Sequence, residues 1–227
     1  MAKKTWCIPP EQNAAFVCAM ENVLEVYHRP YVPKRPVICF DEKSKQLVAE
    51  VRRPIAAGWG RAVRYDYEYE RNGTANLFVL VEPLKGWRQV TGTPRRCKAD
   101  FAGQMRELVD VHDRKAEKIT VVMDNLNTHA LSSLYAAFTP VEARRLMDKL
   151  DVVHTPKHES WLNMAEIEFS VMEKQAIKGR IPDEKALTGR VKAWETDRNH
   201  HSKRINRQFT ADDARIKLRR LYPQIES

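Results

Sequence analysis

Two rhythms of apolar residues alternate along the chain. Ala15, Val17, Cys18, Met20, Val23, Leu24 and Tyr27 recur at the spacing of one helical face, which predicts a lead-in helix over 10–28. The proline-rich piece RPYVPKRP (29–36) stops it and delivers the chain, extended, into an apolar strand at 37–41. Tyr65, Tyr67 and Tyr69 then alternate with Asp66, Glu68 and Glu70, a period of two that predicts a half-exposed strand. Asn72-Gly73 supplies a hairpin turn, and a second hairpin strand follows at 75–82. Helical spacing returns over 98–114, followed by a strand at 119–124, helices at 131–138 and 141–150, a short strand at 152–154 and a long helix at 162–178. Past the turn GRIPDE (179–184) come two more helices, at 184–198 and 211–222.

Antiparallel strands followed by a βαβα run describe an α/β fold: a mixed sheet with helices on both faces, in the ribonuclease-H-like arrangement, with a C-terminal helical appendage. This divides the chain into a lead-in helix and linker (1–34), a catalytic-type core (35–178) and a C-terminal helical segment (179–227). At 227 residues, 43% apolar and 30% charged, the chain has the make-up of a soluble globular protein. No apolar stretch approaches the roughly 20 residues of a membrane span, and the start MAKKTWCIPP has no apolar region of signal-peptide type. A cytoplasmic, membrane-free protein is expected. Cys7, Cys18, Cys39 and Cys97 form no C-x-x-C pair and read as reduced packing residues.

Charge is distributed unevenly. Residues 174–222 hold 14 Lys and Arg against 6 Asp and Glu, a balance of +8 out of a total of +9. A basic segment of this kind suits a polyanionic partner. Three carboxylates occur in apolar settings: Asp41 and Asp124 each close an apolar strand, and Glu166 lies in the long helix. Isolated buried carboxylates are costly unless they share a cation or counter-charge. An acid cluster with few cysteines or histidines suits an oxygen-preferring ion, Mg²⁺ or Mn²⁺. On the helical wheel Leu162, Ala165, Phe169, Met172 and Ala176 make an apolar stripe, and Glu166 and Glu168 flank it on opposite sides. Geometry alone therefore allows either acid to face the sheet.

The set DEKS (41–44), DNLNTH (124–129) and TPKHESWLNMAEIEFSVM (155–172), each after an apolar strand, resembles the catalytic part of bacterial insertion-sequence transposases of the IS-six-thirty family, within the mariner-type superfamily. The likeness runs on into the tail RQFTADDARIKLRRLYP (207–223). It implies that Asp41, Asp124 and Glu166 are the catalytic and metal-holding DDE triad, with Glu166 favoured over Glu168 by the pattern Asn163-Met164-Ala165-Glu166. It further implies two Mg²⁺ or Mn²⁺ ions per active site, nicking at transposon ends, joining of the freed 3′-hydroxyl to target DNA, and a homodimer during transposition. Full-length members carry an N-terminal helix-turn-helix region that reads the terminal repeats. The chain opens at the lead-in helix, which leaves end recognition without an assigned segment.

DNA contacts are expected from Lys43 beside the first acid, from His129, from Lys157 and His158 before the third acid, and from Arg190, Arg215, Arg219 and Arg220 in the basic tail. Asn125, Asn127 and His129 could also hydrogen-bond a phosphate or simply form a turn. Two other functions share the pattern: a structure-selective endonuclease on the same fold, and a truncated transposase that binds DNA and inhibits a full-length copy.

Overall fold

The computed structural model describes residues 11–126, 129–156 and 160–223. Five strands, β1 (Val37–Glu50), β2 (Tyr69–Glu82), β3 (Trp87–Thr93), β4 (Ile119–Met123) and β5 (Leu150–His154), form one mixed sheet in the order β3-β2-β1-β4-β5. The first three run antiparallel, whereas β4 and β5 add in parallel. The fold is the expected ribonuclease-H-like one.

Side-chain alternation splits the core between the two faces of the sheet. Ile38 and Phe40 of β1 and Val121 and Met123 of β4 pack under α2 (Lys98–Glu107), α3 (Ser132–Ala137) and α4 (Pro140–Lys149). Cys39 and Val122 pack on the other face, against α1 (Ala14–His28), α5 (Met164–Gln175), α6 (Glu184–His200) and α7 (Ala211–Lys217). That second core draws on the lead-in helix, the sheet and the C-terminal helices together. Asn13 N–H donates to the Leu221 carbonyl at 3.0 Å, and Arg215 forms a two-pronged pair with Glu21. Helix starts follow capping chemistry: Asn13, Thr139, Asp183 and Thr210 each accept a backbone N–H at their helix's first turn.

Several expectations change. Asn72-Gly73 is not a hairpin turn, because β2 runs straight through it. Between Gln46↔Thr74 and Val48↔Arg71, one residue of β1 faces two of β2, a β-bulge with Gly73 at φ 85°. A turn and a bulge both ask for a residue with positive φ, so Asn-Gly signals either. The β1–β2 connection is instead the long segment 51–68, drawn together by bridges at Ile55↔Arg64 and Gly58↔Arg61. Tyr65 and Tyr67 lie in it, exposed, and only Tyr69 is in a strand. β3 is a further strand, and β1 extends to Glu50. The helix expected at 98–114 is α2 followed by a π-helical turn, Leu108–His112. In the C-terminal segment Leu187, Val191, Trp194 and Leu221 are buried, and Ile216 is exposed. Cys18 and Cys97 are exposed, and only Cys39 is a packing residue among the described cysteines.

One buried ion cluster ties β3, α5 and α6 together. Glu168 receives Arg198 Nη2 at 2.6 Å and Nε at 3.1 Å, and Arg88 Nε lies 3.3 Å away. Arg88 and Glu168 are both wholly buried, and Arg88 also donates to the Gly86 and Lys203 carbonyls. Removing one partner of such a cluster leaves the other charge uncompensated. Arg88→Met should therefore lower the unfolding free energy in urea by about 3–5 kcal/mol. A loss under about 1 kcal/mol would show that Arg198 alone satisfies Glu168.

Candidate active site at the sheet edge

The parallel register between β1 and β4 pairs Val37 with Thr120, Ile38 with Val121 and Cys39 with Val122. The same offset separates Asp41 from Asp124, the first residue past β4. Alternation turns Asp41 to the face of Cys39, on which α5 packs. Asp41 is buried in mid-strand, and its Oδ1 accepts the Glu42 N–H at 2.7 Å. Asp124 lies just beyond the last residue of β4 and is 35% exposed.

Helix α5 brings the third acid, and its N-terminus is pinned at two points. Asn163 caps it through the Ala165 N–H and donates from Nδ2 to the Phe40 carbonyl at 2.8 Å, one residue before Asp41. Tyr27 of α1 donates to the Leu162 carbonyl at 2.9 Å and accepts from Met164 N–H, with the Cys39 thiol 3.5 Å from its hydroxyl. Glu166 is in the first turn of a helix so held, half-buried. Glu168, the alternative acid, points the other way into the cluster with Arg88 and Arg198.

The charges of Glu166 and Asp124 both act on Asp41. Burial pushes the Asp41 carboxyl up to about 7, the Glu166 charge adds to this, the Glu42 N–H opposes it, and Asp124 raises it further. An oxygen-only donor set with unbalanced negative charge fits a hard divalent cation. Among the described residues no three acidic, histidine or cysteine side chains already surround one point as ligands would. Asp124 Oδ1 lies 2.5 Å from His129 Nδ1.

His129 departs from its expected role. Its imidazole is wholly buried, so it is no DNA contact; it lies between Asp124 and Glu42, with Nε2 3.3 Å from Glu42 Oε2. Burial alone would lower its pKa, but the two carboxylates outweigh that and raise it to about 9, so the ring is charged at neutral pH. Lys43 is exposed, 3.7 Å from Glu173 and over the Phe169 ring. Arg190, Arg219 and Arg220 are exposed. Arg215 is committed to Glu21 and Asp212. Lys157 and His158 lie outside the described residues, as does Asn127.

A ribonuclease-H-like sheet with one aspartate on its central strand and another just past the neighbouring parallel strand defines a class of nucleic-acid-processing folds. The chain belongs to the DDE superfamily endonucleases, whose family model matches residues 36–188. It is similar in structure to the Mos1 mariner paired-end complex with Mn, with a TM-score of 0.57, 14% identity and coverage of 89% of this chain and 61% of that one. The Mos1 strand transfer complex gives 0.55, 16%, 89% and 62%, and a pre-cleavage Mos1 transpososome gives 0.54, 14%, 89% and 66%. At these identities the likeness shows the fold, and the chain spans about three-fifths of the first of these relatives. No curated protein sequence matches it.

A carboxyl raised to about 7 binds its proton more tightly in the folded protein than in the unfolded chain, so its contribution to stability falls as pH rises from about 4 to 7. In EDTA, Asp41→Asn should therefore exceed the parent in stability by about 2–4 kcal/mol at pH 8, and the gap should close near pH 4. Thermal unfolding at the two pH values checks this; a gap that does not widen with pH would show that the Asp41 carboxyl is neither desolvated nor crowded by like charge in the folded protein.

Proposed function

We propose that this chain is the catalytic domain of a DDE transposase that cleaves DNA at transposon ends and joins the 3′-hydroxyl to target DNA. The observation that supports this best is the buried Asp41 carboxyl, raised to about 7 by burial with the charges of Glu166 and Asp124 adding to it. Two Mg²⁺ or Mn²⁺ ions held there would polarise the phosphate and supply an activated oxygen nucleophile. Asp41 is held by β1 itself, Asn163 and Tyr27 hold the helix that carries Glu166, and Asp124, just past β4, is in contact with His129. The motif blocks DEKS, DNLNTH and WLNMAE support membership of the IS-six-thirty group, acting as a homodimer in the bacterial cytoplasm on nucleoid DNA. No helix among the described residues is long and apolar enough to cross a membrane. Residues 35–178 are the catalytic core in this reading, preceded by the lead-in segment 1–34.

The basic segment 179–227 supplies the backbone contacts. Arg190, Arg219, Arg220 and Lys43 face solvent and suit phosphate, as do Lys157 and His158 in sequence. Arg215 serves a different purpose, joining α7 to α1 through Glu21.

Asp124→Asn and Glu166→Gln should each lower Mg²⁺-dependent cleavage of a duplex bearing the element's terminal repeats by at least about a hundredfold while leaving the fold intact. Glu168→Gln should act mainly on stability. Cleavage of branched DNA with no joining would indicate a structure-selective endonuclease instead, and near-parent activity in both triad variants would overturn the site.

Binding should also be salt-dependent. Arg190→Ala together with Arg219→Ala should weaken affinity for all DNA sequences alike and flatten the log–log salt slope by about 0.9 for each phosphate no longer neutralised. An unchanged slope would move the DNA path elsewhere.

A further inference from the structure

We propose that His129 is a positioning residue that fixes the Asp124 carboxylate in the orientation needed to share a cation with Asp41. This role rests on the transposase reading and concerns how that site is held. Asp124 stands past the end of β4, where no strand pairing restrains it, and its side chain is 35% exposed. A carboxylate in that place would rotate freely about its two side-chain bonds. His129, five residues later, prevents this by occupying Oδ1 at 2.5 Å, so that the second oxygen is the one a cation would use.

The ring itself cannot turn. It lies 5.4 Å from the Phe101 ring, near-parallel at 26°, and 5.1 Å from Phe40, edge-on at 80°. The His129 N–H donates to the Leu126 carbonyl at 2.9 Å, which restrains the backbone that carries the imidazole. Its far nitrogen faces Glu42 of β1 at 3.3 Å, and Glu42, itself buried, is held by Arg96 Nη1 at 3.0 Å. Arg96, Glu42, His129 and Asp124 thus form a line of charge pairs, the Glu42–His129 one without a hydrogen bond, between the strand that carries the first acid and the second acid. Glu42 and Phe40 lie on the sheet face opposite Asp41, so this brace reaches Asp124 from behind while α5 closes the front. Outer partners of ligating groups commonly alter metal affinity by 10–100-fold.

The residue type makes the test discriminating. In Asn the amide nitrogen falls where Nδ1 stands and can still donate to Asp124; in Gln the amide falls nearer Nε2 and reaches Glu42 instead. Mn²⁺ affinity measured by electron paramagnetic resonance of the free ion, on the full chain, should fall about tenfold or more for His129→Leu and His129→Gln. His129→Asn should recover most of it. Thermal unfolding in EDTA runs alongside, because a purely structural histidine would change stability without ordering Asn above Gln in Mn²⁺ affinity. If His129→Leu fails to fold, the Asn and Gln pair carries the test. Equal Mn²⁺ affinity for parent, Asn and Gln forms would overturn the proposal while Asp124→Asn still abolishes binding. Parent protein that binds no Mn²⁺, or Asp124→Asn that binds as the parent does, would overturn the transposase site and this proposal together.

Discussion

The structure is organised around the repulsion among carboxylates where β4 ends beside β1. Asp41 is buried in mid-strand, and the charges of Glu166 and Asp124 both raise its carboxyl, so the arrangement opposes its own folding at neutral pH. The molecule withstands it because each acid is held by something other than its neighbours. Asp41 has the sheet and the Glu42 N–H, Glu166 has a helix whose first turn is fastened to Phe40 and Tyr27, and Asp124 has the charged imidazole of His129. Local strain of this kind at a site, offset by the surrounding fold, is what a cation-binding function requires.

That constraint gives the lead-in helix a purpose. Tyr27 reaches from α1 to both β1 and the start of α5, so α1 braces the site as well as filling the core. The C-terminal helices in turn hold α1 through the Leu221 carbonyl and Arg215–Glu21, and hold α5 through Arg198–Glu168. Basic residues of the tail therefore divide into two kinds, those turned inward as structural ions and those left at the surface.

How much of this is legible in the sequence depends on whether the signal is local. Apolar periodicity places α1, β4, α5 and α6, and the uninterrupted apolar run before Asp41 places the start of β1, because each buries a continuous face. β3, reading WRQVTGT, escapes that reading: it is a polar edge strand whose second residue, Arg88, is balanced by Glu168, 80 positions away. Asn72-Gly73 misleads because a bulge and a turn make the same backbone demand. Helical-wheel geometry leaves Glu166 and Glu168 equivalent, and only the Arg88–Arg198 cluster separates them. His129 stands out in the sequence as a candidate DNA contact, since nothing local shows that Glu42 and Phe101 enclose it.

The central claim is that the three acids form one cation site. Anomalous scattering from crystals of the chain grown with Mn²⁺ tests it most directly. Density is predicted between Asp41 and Asp124, with Glu166 turned toward it and His129 still on the far oxygen of Asp124. Manganese bound elsewhere, or bound with Glu168 in place of Glu166, would contradict the claim.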